Sequence, residues 1–379
     1  MSRVRILFSS IDSTWGGLAA QMTELAAGLR DTEFEPVILT TRMGGGSLAD
    51  HVRALGMRTH VVPHRFMRRK FPFVDYYSVG RLYLYALLRR ERIALVHTHD
   101  PRSGLAIMPA AAGLPLPLVW HIHDHDLDWV TARTLPLQNR PASTVVAISD
   151  ATASWAVSRG VDPAHLRRIY NGVHLVPLAP DARVRAREQL GIADDEIAVA
   201  LVGRLHARKG QDDLIRAAAN TSLDGLPIRF FLFGRPERGD ERYERELRSA
   251  ATKLNVEQRV VFAGHRSDVP TLLPGFDISV VPARREAFGR VVIEGMHAGN
   301  PAVVYDDGAL PELVRNGEEG FVVPPGNVRA LAGAIATLAR DPALRARLGS
   351  AARERARRFT HEAWIAEMTA LYREMLTRK

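Results

Sequence analysis

Short apolar stretches alternate with helical ones twice along this chain, and that alternation admits few folds. In the first half, Val4–Ser9, Pro36–Thr40, Arg58–Val62, Ala94–His97, Leu118–His121 and Thr144–Ile148 are predicted strands. Leu18–Leu29, Leu48–Leu55, Tyr76–Arg90 and Gly104–Ala112 are predicted helices between them, and Ala151–Val157 follows the last. Val4–Ser9 is apolar except for Arg5 and Ser9, as a strand buried on both faces must be. The pattern restarts in the second half with strands at Ile197–Val202, Ile228–Phe233, Val260–Phe262, Ile278–Val281, Ala302–Tyr305 and Phe321–Val323. Helices are expected to end at Glu188–Leu190, to start at Asp212, and to run as a pair from Asn327 to about Phe359. The last one, Glu362–Thr377, gathers Trp364, Met368, Leu371, Tyr372 and Met375 on one side. Strands alternating with helices imply parallel sheets covered on both faces. A length of 379 residues suits two such domains, joined through the Pro-containing stretch Val176–Asp181.

Sheets of this kind bind ligands beyond the carboxyl ends of their strands, so the loops there carry the functional signal. The most informative is ARREAFGRVVIEGMHAGNP, Ala283–Pro301. Glu286 and Glu294 stand eight residues apart. Phe288 and Gly289 are expected to open a helix whose apolar face is Val292, Ile293 and Met296. Gly289 lets backbone approach a ligand closely, and a helix start favours anions. Glu286 would lie in the loop and Glu294 more than a turn into the helix. Such an arrangement suits an anionic ligand with polyols at both ends, which is the shape of a sugar nucleotide. A second loop, GRLHARKG from Gly203 to Gly210, offers Arg204 as a forked donor and Lys209 as a point charge. A third, IDSTWGG, contains Gly16 and Gly17 but lacks the Gly-x-Gly-x-x-Gly dinucleotide fingerprint. His97-Thr98-His99 and His121-Ile122-His123 fall at two more strand ends. The segment WHIHDHDLDW, Trp120–Trp129, holds enough His and Asp to suggest a divalent metal, yet shows no fixed zinc spacing.

Together these residues resemble retaining glycosyltransferases of the GT-B class, family four. The resemblance is carried by the Glu-x7-Glu pair, the intervening Phe-Gly, the following Gly-Asn-Pro, Gly308 to Glu312, and Asn171-Gly172-Val173 before the crossing between halves. It implies an α/β GT-B fold: two Rossmann-like doubly wound domains facing a central cleft, with the C-terminal helix crossing back onto the first. The expected boundaries are 1–176 for an acceptor-side domain, 177–358 for a nucleotide-sugar domain, and 359–379 for the terminal helix. By the same resemblance Gly16 and Gly17 lie at the donor diphosphate, which Gly203, Arg204 and Lys209 hold. Glu286 bonds donor sugar hydroxyls beside the backbone of Ala287, Phe288, Gly289 and Arg290. Glu294 binds ribose, His265 and Arg266 border the base, and His123 approaches the donor sugar. The catalytic group is thus His123, Glu286, Arg204 and Lys209, acting by positioning and electrostatics. His123 heads the family's strand-end His-Asp motif with Asp124, whereas Asp126 and Asp128 are outside that pattern and either face the acceptor or form a solvated loop; Asp124, Asp126 and Asp128 are the acceptor-side candidates. No cofactor and no metal are expected. The chain departs from the family at Phe233-Gly234-Arg235-Pro236, where a second glycine is common, and at Asp307-Gly308, where Gly-Gly is usual.

Composition narrows the classes further. The absence of cysteine excludes disulfides and thiolate metal sites and suits the cytoplasm. No apolar run is long enough to span a bilayer, and MSRVRILFSS does not resemble a signal peptide. The net charge of +9 is concentrated between Arg65 and Arg92, where eight Arg or Lys face two acids. That segment interleaves Phe66, Phe71 and Phe73 with cations, so it is a candidate for peripheral contact with an anionic inner-leaflet surface. The expected reaction moves sugar from a UDP- or GDP-sugar to a hydroxyl of a glycan, a lipid-linked or a small-molecule acceptor. A sugar-nucleotide epimerase or phosphorylase shares the fold and remains the enzymatic alternative. A nucleic-acid-binding protein using the basic segment is the alternative of another class, but it leaves the glutamate pair without a role.

Overall fold

The computed structural model describes residues 3–11, 17–42, 47–63, 75–124, 135–140, 142–220, 223–237 and 240–377. It divides into two compact units: Met1–Gly172 with His361–Lys379, and Val173–Thr360. Val173 goes with the second unit, where its amide donates to Phe359 O at 2.9 Å.

In the first unit the order is β1 (Val4–Ser9), α1 (Gly17–Gly28), β2 (Phe34–Arg42), α2 (Ser47–Ala54), β3 (Arg58–Pro63), α3 (Asp75–Arg90), β4 (Ile93–Thr98), α4 (Pro101–Ala112), β5 (Leu118–Ile122), β6 (Ser143–Ala147), α5 (Asp150–Ser158) and β7 (Leu166–Arg168). All pairings are parallel, in the order β3-β2-β1-β4-β5-β6-β7. Alternate residues of β1 serve opposite faces. Ile6 and Phe8 join a core with Met22, Leu25 and Phe34, whereas Leu7 packs with Leu84, Ile107 and Trp120. This double burial is why the strand sequences are nearly continuous apolar runs. The last helix, α14 (His361–Thr377), closes the first of these cores with Trp364, Met368, Leu371, Tyr372 and Met375.

The second unit repeats the plan: α6 (Ala182–Leu190), β8 (Ile197–Val202), α7 (Gln211–Ala218), β9 (Ile228–Phe233), α8 (Glu241–Lys253), β10 (Val260–Gly264), α9 (Val269–Leu272), β11 (Ile278–Val281), α10 (Arg290–Ala298), β12 (Ala302–Tyr305), α11 (Leu310–Leu313), β13 (Gly320–Val323), α12 (Val328–Arg340) and α13 (Pro342–Ala356). Its parallel order is β10-β9-β8-β11-β12-β13. In both sheets the chain reverses its direction of growth next to the unit's first strand, between β1 and β4 and again between β8 and β11. Loops diverge there and leave a crevice at the carboxyl ends.

Three expectations are corrected or extended. The helix bearing Glu294 begins at Arg290, not at Phe288, because Gly289 has φ +98° and precedes the first helical turn. Helix α8 had no sequence counterpart: it buries only Leu247 and Ala251, and seven of its other eleven residues are charged. Strand β7, with the sequence Leu-Arg-Arg at the sheet edge, was also missed.

Candidate active site

In the second unit, the loops after β8 and β11 carry most of the expected site, and these strands are neighbours at the reversal point. The loop after β8 contains Gly203, Arg204 and Lys209. Gly210 then turns it into α7 with φ +69°, and a Cβ there would lie 2.1 Å from Pro282 O. Glycine at 210 is therefore what lets the two loops touch. Across that contact Lys209 Nζ lies 2.5 Å from Glu286 Oε2. A cation suited to phosphate and a carboxylate suited to sugar hydroxyls are thus adjacent.

Beside this pair lies a cavity of about 930 Å³ bordered by Gly203, Arg204, Gly234, His265, Arg266 and Glu294. Lys209 and Glu286 are outside its lining. Gly234, with φ +147°, crosses under Gly203: an added Cβ would come within 1.9 Å of Gly203 O. The single glycine retained at this departure from the family pattern is thus sterically required. Arg204 forms an ion pair with Glu237, a residue sequence reasoning did not single out. Arg266 makes a two-pronged bond to Asp268 at 2.9 and 2.7 Å, and that bond holds the Asp268 carboxyl down at about 2. His265 is exposed and follows Gly264, whose φ is +69°. Of the loop leading to α10, Ala287 is half-buried. Phe288 is turned into the core edge-on to Phe359, which leaves its backbone for any ligand contact. Gly289 is buried against Leu310, and Arg290 opens the helix whose N-terminus favours an anion.

In the first unit, β4 and β5 bring His97, His99, His121 and His123 into a two-by-two array. Ring centroids stack at 4.2 Å between His97 and His99 and at 4.0 Å between His121 and His123. Across the strands, His97 Nε2 lies 3.2 Å from His121 Nδ1, and His99 Nδ1 lies 3.1 Å from His123 Nε2. Tyr372 Oη lies 2.7 Å from His97 Nδ1. Burial, reinforced by the neighbouring imidazoles, pushes His97, His99 and His121 well below the ordinary histidine range. Burial alone pushes His123 down to about 3. All four rings are therefore neutral at pH 7, each with one N–H and one lone pair. His99 Nε2, His121 Nε2 and His123 Nδ1 are buried with no hydrogen-bond partner among the described residues. His123 lies half-buried just past β5, with Nε2 against His99 and Nδ1 buried. Ligand atoms of His97, His99 and His121 lie within 4.8 Å of one another. Their ring planes are inclined to one another by 29° between His97 and His99, 13° between His97 and His121, and 36° between His99 and His121.

Gly17 is exposed at the start of α1, and no atom of the described residues lies within 4 Å of an added Cβ. Asp124 is exposed. Gly16, Asp126, Asp128 and much of the basic run, residues 65–74, lie outside the described residues.

Comparison with known proteins identifies the family. Residues 183–355 match the family model described as glycosyl transferases group 1, and residues 15–176 match that of glycosyltransferase family 4. A D-inositol 3-phosphate glycosyltransferase from Acidothermus cellulolyticus is 33% identical over 324 residues, covering 78% of this chain and 71% of the relative. The crystal structure of Anabaena Alr3699/HepE in complex with UDP superposes with a TM-score of 0.85 at 27% identity, covering 98% of this chain and 100% of that one. A glycosyltransferase from Rickettsia africae shares the fold, with a TM-score of 0.87 at 19% identity over the full length of both chains.

Proposed function

Because the chain belongs to the group 1 glycosyl transferases of glycosyltransferase family 4, and so transfers sugar from a nucleotide sugar, we propose that it is a retaining enzyme using a UDP-sugar, with a GDP-sugar as the alternative donor. The observation that carries this reading is the 2.5 Å contact between Lys209 Nζ and Glu286 Oε2 at the reversal point of the second sheet. A diphosphate bonded to a sugar needs a cation and a hydroxyl acceptor side by side, and this pair supplies both.

Arg204, Lys209 and the N-terminus of α10 stabilise negative charge as it grows on the β-phosphate. Glu286 accepts hydrogen bonds from the sugar hydroxyls, and Glu294, on the cavity wall, accepts them from ribose. His265 and Arg266 border the base. The C–O bond between the anomeric carbon and the diphosphate breaks while the acceptor oxygen bonds to that carbon from the same face. The acceptor proton passes to the departing phosphate oxygen, so the anomeric configuration is kept and no cofactor is required. UDP is the first nucleotide to test because the HepE structure contains it. A polyol phosphate is the first acceptor because of the inositol-phosphate relative, with glycan and lipid-linked hydroxyls next. Among the described residues no helix is long and apolar enough to cross a membrane. Cytoplasmic action, with peripheral contact through the Arg65–Arg92 run, belongs to the same proposal.

Thermal unfolding with UDP, GDP, ADP and their glucose and mannose derivatives tests it, because a ligand of the native state raises the midpoint. A rise with a uridine or guanosine diphosphate sugar, and a product of unchanged anomeric configuration by NMR, are expected. No rise with any of the panel, or an inverted product, overturns the reading.

A further inference from the structure

We infer that Asp213 is a positioning residue for Glu286, acting through Arg284. This inference rests on the donor-site reading above. Asp213 sits on α7 four residues after Lys209 and is 2% exposed. Its neighbours on that helix, Leu214, Ile215, Ala217 and Ala218, are the apolar side chains a core calls for. A carboxylate among them needs compensation and gains nothing for packing. The compensation comes from two donors. Arg284 Nη2 lies 2.6 Å from Asp213 Oδ2, and Tyr305 Oη donates to the same oxygen at 2.8 Å. Burial and the Asp213 carboxylate raise the Tyr305 phenol, keeping it protonated as a donor.

Arg284 is two residues before Glu286. The intervening Arg285 has φ +51°, a left-handed conformation that a side chain disfavours, so the loop needs outside support. That support is dense. Arg284 N donates to Arg208 O at 2.7 Å, and Arg208 Nη2 donates to Arg285 O at 2.9 Å. Arg285 N donates to Asp307 Oδ1 at 2.7 Å, and Ala309 N donates to Glu286 O at 2.8 Å. The Asp213–Arg284 bond adds the charged tie between the helix that follows Lys209 and the loop that carries Glu286. It spans 71 positions of sequence, so the local chain does not impose it. Loss of the tie frees the sugar-gripping carboxylate while the nucleotide cavity, whose lining includes neither Asp213 nor Arg284, stays intact.

The test compares Asp213→Asn, Arg284→Gln and the double variant with Glu286→Gln, using UDP-glucose and UDP as probes. Asparagine keeps the shape of the buried side chain, and Arg284 is partly exposed, so Arg284→Gln carries the test if the first variant folds poorly. Each single change is expected to lower kcat about tenfold or more and to weaken UDP-glucose about tenfold, with UDP affinity within about twofold of the parent. The double variant is expected to be no worse than the worse single one, as for two ends of one contact. Kinetics unchanged in both single variants, with Glu286→Gln impaired, overturn the inference. Equal loss of UDP and UDP-glucose affinity also overturns it, because that marks general loosening of the unit. Unchanged turnover in Glu286→Gln strikes the donor-site reading itself.

Discussion

The phenol of Tyr372, on the last helix of the chain, lies 2.7 Å from Nδ1 of His97 on β4, although 275 positions separate them. Through this bond α14 is fixed to the histidine array by more than apolar burial. Tyr372 is fully buried, its ring meets Phe34 edge-on at 5.6 Å, and burial raises its phenol well above the usual range. Replacing Tyr372 with Phe keeps the ring and leaves His97 Nδ1 without this partner in the core. A loss of about 1–3 kcal/mol in the stability of the first unit is expected, as for an orphaned buried polar group. Denaturant unfolding followed by tryptophan fluorescence measures it, and a variant as stable as the parent refutes it.

The four imidazoles also set a pH dependence. Their folded pKa values are depressed, so the unfolded chain takes up protons below about 6.5 while the native array does not. Stability contributed by the neutral rings is therefore present above the unfolded value and falls as pH drops below it, continuing toward about 3 in the case of His123. Each imidazole can contribute a slope of up to about 1.4 kcal/mol per pH unit. Unfolding midpoints between pH 7.5 and 5 are expected to fall, and His121→Gln is expected to flatten the curve. A pH-independent midpoint across this range contradicts the assignment.

Most of the fold was legible because parallel strands buried on both faces must be largely apolar, as Ile197–Val202 is throughout and Ile228–Phe233 is apart from Arg229. Where burial is slight the signal fades: α8 hides two residues of thirteen, and β7 is a polar edge strand. The site was legible where it is local. Gly203 to Lys209 and Glu286 to Glu294 announce themselves by glycines and spacing. Asp213–Arg284 and Arg204–Glu237 were not, because each is made by side chains meeting across the sheet ends with no local pattern to mark them. Position 289 shows a finer limit. Glycine there signals both a helix start and a left-handed turn, and only the backbone angle of +98° tells which residue begins the helix.

Glu294 and Lys209 should separate binding from turnover. Losing a hydrogen bond to a charged group costs about 1.5–3 kcal/mol, or roughly ten- to 150-fold. Glu294→Gln is expected to weaken UDP by about that factor, read by calorimetry. Lys209→Ala is expected to cut kcat about 100-fold, because its charge matters most as the diphosphate leaves. Parental UDP affinity in the first and parental turnover in the second refute the donor assignment.

Gly234→Ala tests the crossing beneath Gly203. The added Cβ would fall 1.9 Å from a backbone oxygen, and backbone cannot step aside as a side chain can. The φ of +147° is itself costly for alanine. A loss of at least about 2 kcal/mol in the second unit and weaker nucleotide binding are expected together. A variant that melts with the parent and binds UDP equally shows that the crossing is not required.

Metal independence is expected from the way the proposed donor site meets the diphosphate charge. Arg204, Lys209 and the α10 N-terminus supply fixed positive potential where a metalloenzyme would place a divalent ion. The histidine array offers nitrogens within 4.8 Å of one another, but every group proposed to meet the phosphate charge belongs to the second unit. Turnover with UDP-glucose is therefore expected to survive exhaustive chelation, and added Mg²⁺, Mn²⁺ or Zn²⁺ to change it less than about twofold. Activity that disappears with chelator and returns with one of these ions would place a metal in the reaction, with His97, His99 and His121 the first residues to substitute.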